Sequence, residues 1–175
     1  MTECFPGQFR NWFYAMLAMS TVLRREAPFK TIFGYATLFG EDGRPMHKSW
    51  GNAIEFDEAA ERMGVDVMRW MYASARPDDN ILFGWHAADE ARRGLLVMWN
   101  VYAFFVTYAR LAGWTPAAAP PLAERPPLDR WIVSRMAGTT AQVEARLRDY
   151  DVEGATRHLD AVSYTHLTLP TILRV

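Results

Sequence analysis

Residues 29–52 read FKTIFGYATLFGEDGRPMHKSWGN, and the fold assignment starts from them. Phe29, Thr31, Ile32, Phe33, Tyr35, Thr37 and Phe39 are aromatic or β-branched, which predicts one largely buried strand over 29–39, with Gly34 permitting a bend. Glu41-Asp42-Gly43 marks a turn. A polar loop over 44–54 follows, holding Pro45-Met46-His47-Lys48-Ser49-Trp50-Gly51-Asn52.

Helical periodicity dominates outward from this stretch. Upstream, 4–7 reads as a loop with a Pro6-Gly7 turn, and Phe9, Trp12, Phe13, Met16 and Leu17 recur at helical spacing, predicting a helix over 8–23 stopped by Pro28. Downstream, a short helix over 57–63 with Asp57 as N-cap leads to a second over 67–74 capped by Asp66. A short strand is expected at 81–83 and a long helix over 87–111. A proline-rich crossing spans 113–127, an amphipathic helix covers 128–148, and another helix starts at 151. The fold class is therefore mostly α. A single clear strand cannot make a sheet, so the sheet to which it belongs is expected upstream, and the chain is read as an internal piece of a larger protein.

Composition narrows the classes. Half of the 175 residues are hydrophobic and aromatics are frequent, which excludes overall disorder. The net charge of −1 excludes a general basic surface, so contact with nucleic acid has to be local. Lys30 and Lys48 are the only lysines among nineteen basic residues. Against an arginine-rich background a retained lysine suggests a compact, mobile point charge. One cysteine, Cys4, precludes an intrachain disulfide and a cysteine metal site. The stretch 94–112, GLLVMWNVYAFFVTYARLA, approaches the length of a membrane span. It is read as a buried helix of a soluble protein, because Asn100, Thr107 and Arg110 interrupt it and no second span accompanies it.

The loop Pro45–Asn52 resembles the lysine-methionine-serine-lysine-serine signature of class I aminoacyl-tRNA synthetases. Met46, Lys48, Ser49, Gly51 and Asn52 match; Pro45 stands for the first lysine and His47 for the first serine. The spacing Gly64-x-Asp66-x-x-Arg69 resembles the segment that follows this loop in the family. Glu3-Cys4-Phe5-Pro6-Gly7-Gln8-Phe9-Arg10-Asn11-Trp12-Phe13 is similar to a segment of the isoleucyl members, with one residue inserted and no counterpart for an aspartate. Leu128-Asp129-Arg130-Trp131-Ile132-Val133-Ser134-Arg135-Met136 resembles the helix opening the anticodon-binding domain of the isoleucyl, valyl and leucyl group. The other class signature, His-x-Gly-His, is absent.

The resemblance implies the distal end of a Rossmann-type catalytic domain over 1–56, a stem-contact connection over 57–86, and the start of a helical anticodon-binding domain over 87–161. It implies activation of isoleucine by ATP with Mg2+, and transfer to tRNA, in the intact parent; the chain by itself is expected to be inactive. Lys48 and Ser49 would be catalytic, meeting charge on the departing pyrophosphate. Glu3, Gln8, Met46, His47, Lys48, Gly51 and Asn52 would contact ATP or the adenylate, and Arg130, Arg135, Arg146 and Arg148 the tRNA phosphates. Arg44 or His47 is expected to replace part of the missing first lysine. The resemblance implies a cytoplasmic protein, without metal ligands in this segment and without a membrane or protein partner. A valyl or leucyl fragment, and a stand-alone tRNA-binding helical module, are the alternatives. Finally, 162–171 back-translates to a transposase end and adaptor sequence used in library preparation, so 162–175 is expected to be adaptor read into an open frame.

Overall fold

The computed structural model describes residues 1–163. They form two compact units, one reaching to Asp89 and one starting at Glu90. Helix dominates both, as expected.

The first unit holds more strand than its sequence announces. Four short strands form: β1 (Thr2–Cys4), β2 (Phe33–Tyr35), β3 (Leu38–Gly40) and β4 (Ile81–Phe83), the last at the position expected for a short strand. They pair in parallel as β1 with β2 and β3 with β4, with Glu3 opposite Gly34 and Phe39 opposite Leu82. The continuous strand over 29–39 is thus corrected to two pieces broken at Ala36-Thr37. The break has a cause. The Ala36 N–H donates to the Pro77 carbonyl at 2.7 Å, and both the Thr37 N–H and hydroxyl donate to Asn80 Oδ1. At that point the backbone leaves one partner strand for the other. Gly34 lies inside β2, where a Cβ would stand 2.5 Å from two carbons of the Phe5 ring.

Residues 4–7 are likewise no loop. Cys4 ends β1, and α1 (Phe5–Gln8) follows, with a turn at 9–11 before α2 (Trp12–Arg24). Phe5, Phe9, Phe13 and Phe29 interlock, Phe13 buried at their centre, with centroids 5.4–6.1 Å apart. Edge-to-face and offset pairs of this kind add about 0.5–1.5 kcal/mol each beyond area burial.

Helix α3 (Phe56–Met63) is followed by α4 (Val65–Ala73). Asp57 sits in the first turn of α3, not at its cap, which is Glu55; Asp66 likewise sits in the first turn of α4. Gly64 is both the C-cap of α3 and the N-cap of α4, at φ 87°, a conformation that favours glycine over Asp. Ala59 and Met63, then Val67, Met68 and Met71, face inward with Phe83 and Ala88. Arg62 lies over the Trp85 ring at 3.7 Å.

Helix α5 (Trp85–Leu111) starts two residues earlier than its periodicity suggests. Glu41 Oε1 accepts from the Ala87 N–H at 2.9 Å and so satisfies one open donor of its first turn. Its apolar window is not buried among the described residues: Trp99, Tyr102, Phe104, Phe105 and Tyr108 are each more than half exposed. The expected burial is corrected accordingly. In the second unit, α6 (Pro127–Arg148) and α7 (Val152–Val162) pack on each other. Asp151 caps α7 by accepting from the Gly154 N–H at 2.9 Å, and Arg146 bonds the same carboxylate. The expected adaptor-derived tail begins inside α7 at Val162, and its residues from 164 on lie outside the described residues.

Candidate active site

The signature loop is built on β3. The Gly40 N–H donates to the Arg44 carbonyl at 2.8 Å, the Gly43 N–H returns to Gly40 at 2.9 Å, and the Arg44 N–H reaches Asp42 Oδ1 at 3.0 Å. This tight reversal brings Pro45 into an antiparallel bridge with Phe39. Lys48–Trp50 then form one 3-10 turn, ended by Gly51 at φ 70°. Glycine suits that left-handed position because it has no Cβ to clash.

Asn52 closes the loop. Its Oδ1 accepts from the His47 N–H at 2.9 Å, and its Nδ2 donates to the Pro45 carbonyl at 3.0 Å. Within the loop His47 Nδ1 lies 2.8 Å from Ser49 Oγ, and its ring lies 5.3 Å from that of Trp50. Lys48 Nζ is 3.0 Å from Glu55 Oε1, both side chains being well exposed. Met46 is half-buried, and His47, Lys48, Ser49 and Gly51 are exposed. Arg44 meets Asp42 at 3.9 Å.

Glu3 and Gln8 belong to a second feature. Glu3 on β1 is 3% exposed, and its Oε2 has no hydrogen-bond partner. A buried carboxylate oxygen without a donor is costly, and native sites fill such a vacancy with a cation or an N–H group. Gln8 ends α1 and is half-buried. A cavity of about 790 Å³ is lined by Phe5, Gly7, Phe9, Arg10, Gly34, Tyr35, Ala36 and Asp78, and neither Glu3 nor Gln8 is part of its lining. The Arg76 guanidinium, donating to Asp78, holds that carboxyl below its ordinary range. No residue of 45–52 lines this cavity. The sequence-derived residues therefore fall into two groups, the exposed loop and the buried β1–α1 segment. Among the described residues no three His, Cys, Asp or Glu side chains are placed to hold a metal ion.

The four arginines of α6 do not make one patch. Arg135 and Arg146 lie three turns apart, about 16 Å along the axis, while Arg130 points to another side. Arg146 is committed to Asp151 and Arg148 approaches Glu144 at 3.7 Å; Arg130 and Arg135 are exposed. Two residues escaped sequence reading. Glu55 is seven positions from Lys48 across a turn, where no periodicity reports on contact. Asp78 enters the cavity only because the Pro77–Asn80 loop bonds to Ala36-Thr37.

Comparison with known proteins fits this geometry. Residues 5–83 match the family model of tRNA synthetases class I (I, L, M and V), so this stretch of the chain is class I tRNA synthetase sequence. Within that class its curated relatives are isoleucine–tRNA ligases. The Deinococcus radiodurans ligase is 37% identical over 155 residues, 87% of this chain and 14% of that protein. Those of Streptomyces avermitilis and Thermus thermophilus are 36% and 34% identical over 90% of this chain and 16% of theirs. The chain thus spans about a seventh of the length of the curated relatives it matches. In fold it is similar to the LeuRS of Agrobacterium radiobacter K84 (agnB2), solved in a ternary complex with tRNA and LeuAMS. The TM-score is 0.69 and the identity 16%, covering 86% of this chain and 20% of that one.

Proposed function

We propose that this segment serves an isoleucine–tRNA ligase: it supplies part of the site that activates isoleucine with Mg–ATP and the start of the surface that receives tRNA. The observation that carries the reading is Lys48 on a loop joined directly to a parallel β pair, inside a segment of class I synthetase sequence. In the reaction the isoleucine carboxylate attacks the α-phosphate of ATP and pyrophosphate departs. Negative charge grows on the leaving group. The Lys48 ammonium, exposed and flexible, can follow that charge, and Ser49 adds a hydroxyl donor. Glu3 supplies the buried carboxylate against which a substrate ammonium fits, since its Oε2 lacks a donor. Gln8, at the end of α1, offers an amide that suits a ribose hydroxyl. Met46, His47 and Gly51 form the loop surface next to the phosphates.

In this reading residues 1–56 are the distal catalytic domain, 57–86 the stem-contact connection and 87–161 the start of the anticodon-binding domain of a cytoplasmic enzyme. Arg130 and Arg135, exposed on α6, are the better placed of the four arginines for tRNA phosphates. The exposed stripe of α5 is then covered by further parts of the ligase. The test is isoleucine-dependent ATP–pyrophosphate exchange by the complete ligase carrying this segment. Lys48→Ala should lower kcat about 10²–10³-fold, the range for removing one group that meets transition-state charge. An unchanged kcat, or equal exchange with valine or leucine, would count against the reading.

A further inference from the structure

We infer that Asn52 is the positioning residue of the signature loop: its carboxamide locks 45–52 into one unit that presents Lys48, and it does not itself touch the nucleotide. The inference rests on the ligase reading above. Both ends of the carboxamide are already engaged, Oδ1 by the His47 N–H at 2.9 Å and Nδ2 by the Pro45 carbonyl at 3.0 Å. These bonds reach back five and seven residues and bracket Met46, so they fix where the 3-10 turn carrying Lys48 begins. Inside the bracket the turn has its own short bonds, Trp50 N–H to His47 O at 3.0 Å and Gly51 N–H to Lys48 O at 3.2 Å. Without Asn52 they would hold the turn's shape but not its direction.

The chemistry explains the residue type. One group must accept from an N–H and donate to a carbonyl within a short reach. Asp has no donor, Ser has one oxygen for two separated partners, and Gln is a methylene longer. The left-handed Gly51 immediately before it aims the Asn52 side chain back over the loop. A residue acting in this way changes the fraction of time that Lys48 spends where the leaving group will be. Its loss therefore shows in kcat, because the ammonium acts in the transition state.

Asn52→Ala and Asn52→Asp in the complete ligase test this, by isoleucine-dependent ATP–pyrophosphate exchange and by amide hydrogen exchange of the same proteins. Asn52→Ala should lower kcat roughly tenfold, the effect of about two neutral hydrogen bonds partly replaced by water, with the KM values for ATP and isoleucine within about twofold. Asn52→Asp, which keeps the acceptor for His47, should fall between the two. The His47 amide should exchange roughly tenfold faster in Asn52→Ala while Gly40, in β3, stays protected, which separates loop opening from general unfolding. A raised KM for ATP at constant kcat would overturn the inference in favour of direct contact. So would a wild-type-like kcat with unchanged His47 exchange. Absence of isoleucine-dependent exchange in the unsubstituted ligase would instead overturn the ligase reading, and the positioning role with it.

Discussion

Replacing Gly34 by alanine should destabilise the first unit, although alanine is ordinarily the better residue. At an unstrained glycine the substitution removes unfolded-state freedom and stabilises by about 0.4–1 kcal/mol. Gly34 lies within β2, but its added Cβ would meet Phe5 Cδ2 and Cε2 at 2.5 Å, about 1 Å inside ordinary contact. Phe5 cannot swing away freely. Its ring sits edge-on to Phe13 at 5.4 Å and 89°, and near Phe9 at 6.1 Å. Displacing it forfeits two aromatic pairs, about 1–3 kcal/mol; leaving it in place overpacks the site at a similar cost. The steric loss exceeds the entropic gain, so a net loss of about 1–2 kcal/mol is expected. Urea unfolding of Gly34→Ala, Phe5→Ala and the double variant measures it. Gly34→Ala should lower the midpoint alone, and be neutral or stabilising in the Phe5→Ala background. If the alanine stabilises with Phe5 present, or costs the same with Phe5 absent, the packing argument is wrong.

Two other perturbations follow from the loop and from α7. Pro45→Lys leaves intact the carbonyl that Asn52 uses and adds a second ammonium, so pyrophosphate exchange should stay level or rise; a loss beyond about tenfold would show that the loop cannot accept a lysine there. The Asp151 carboxyl is held below its ordinary pKa, first by the Gly154 N–H and then by Arg146. Its folded pKa is the lower one, so its contribution is complete above the unfolded value near 3.9 and disappears as pH falls through the folded value. Thermal unfolding of the second unit between pH 6 and 2 should show that loss, and Asp151→Asn should flatten it; an unaltered pH slope in the variant would assign the loss elsewhere.

The long helices were legible because local pattern sets them. α7 follows the Asp151 cap, α6 follows a proline in its first turn and apolar spacing, and α5 follows a stripe too long to mistake. The strands were less so. Thr2–Cys4 carries no three-residue signal; it is a strand because Phe33–Tyr35 lies beside it. The split of 29–39 depends on Pro77 and Asn80, some forty residues away. Apolar spacing on α5 said that a face wanted cover, but not what supplies it. In the candidate site, Lys48 and Glu3 stand out in the sequence by residue type and company. It could not separate a ligand from a brace: Asn52 looks the same in both roles until its two amide ends are seen to be occupied.

The Lys48–Glu55 pair shows why magnitudes matter in such a loop. An ion pair this close looks like a latch that ATP would have to break. Both groups are well exposed, 82% and 63%, and a surface pair of that kind contributes about 1 kcal/mol or less. A fivefold bias is the most it imposes. Removing a donor that meets transition-state charge costs about 2.7–4 kcal/mol. On the proposed reading, the pair is weaker than the interaction it precedes by a clear margin, and Glu55 would not hold Lys48 from a developing pyrophosphate. What it can do is keep the ammonium on one side of the loop between turnovers. On the same reading Asn52 has the complementary task. Its two bonds join uncharged groups and fix backbone, so they are little affected by the arrival of charge. The backbone is braced by interactions that persist, and the ammonium is tethered by one that yields, which is the combination a mobile cation on a fixed loop requires.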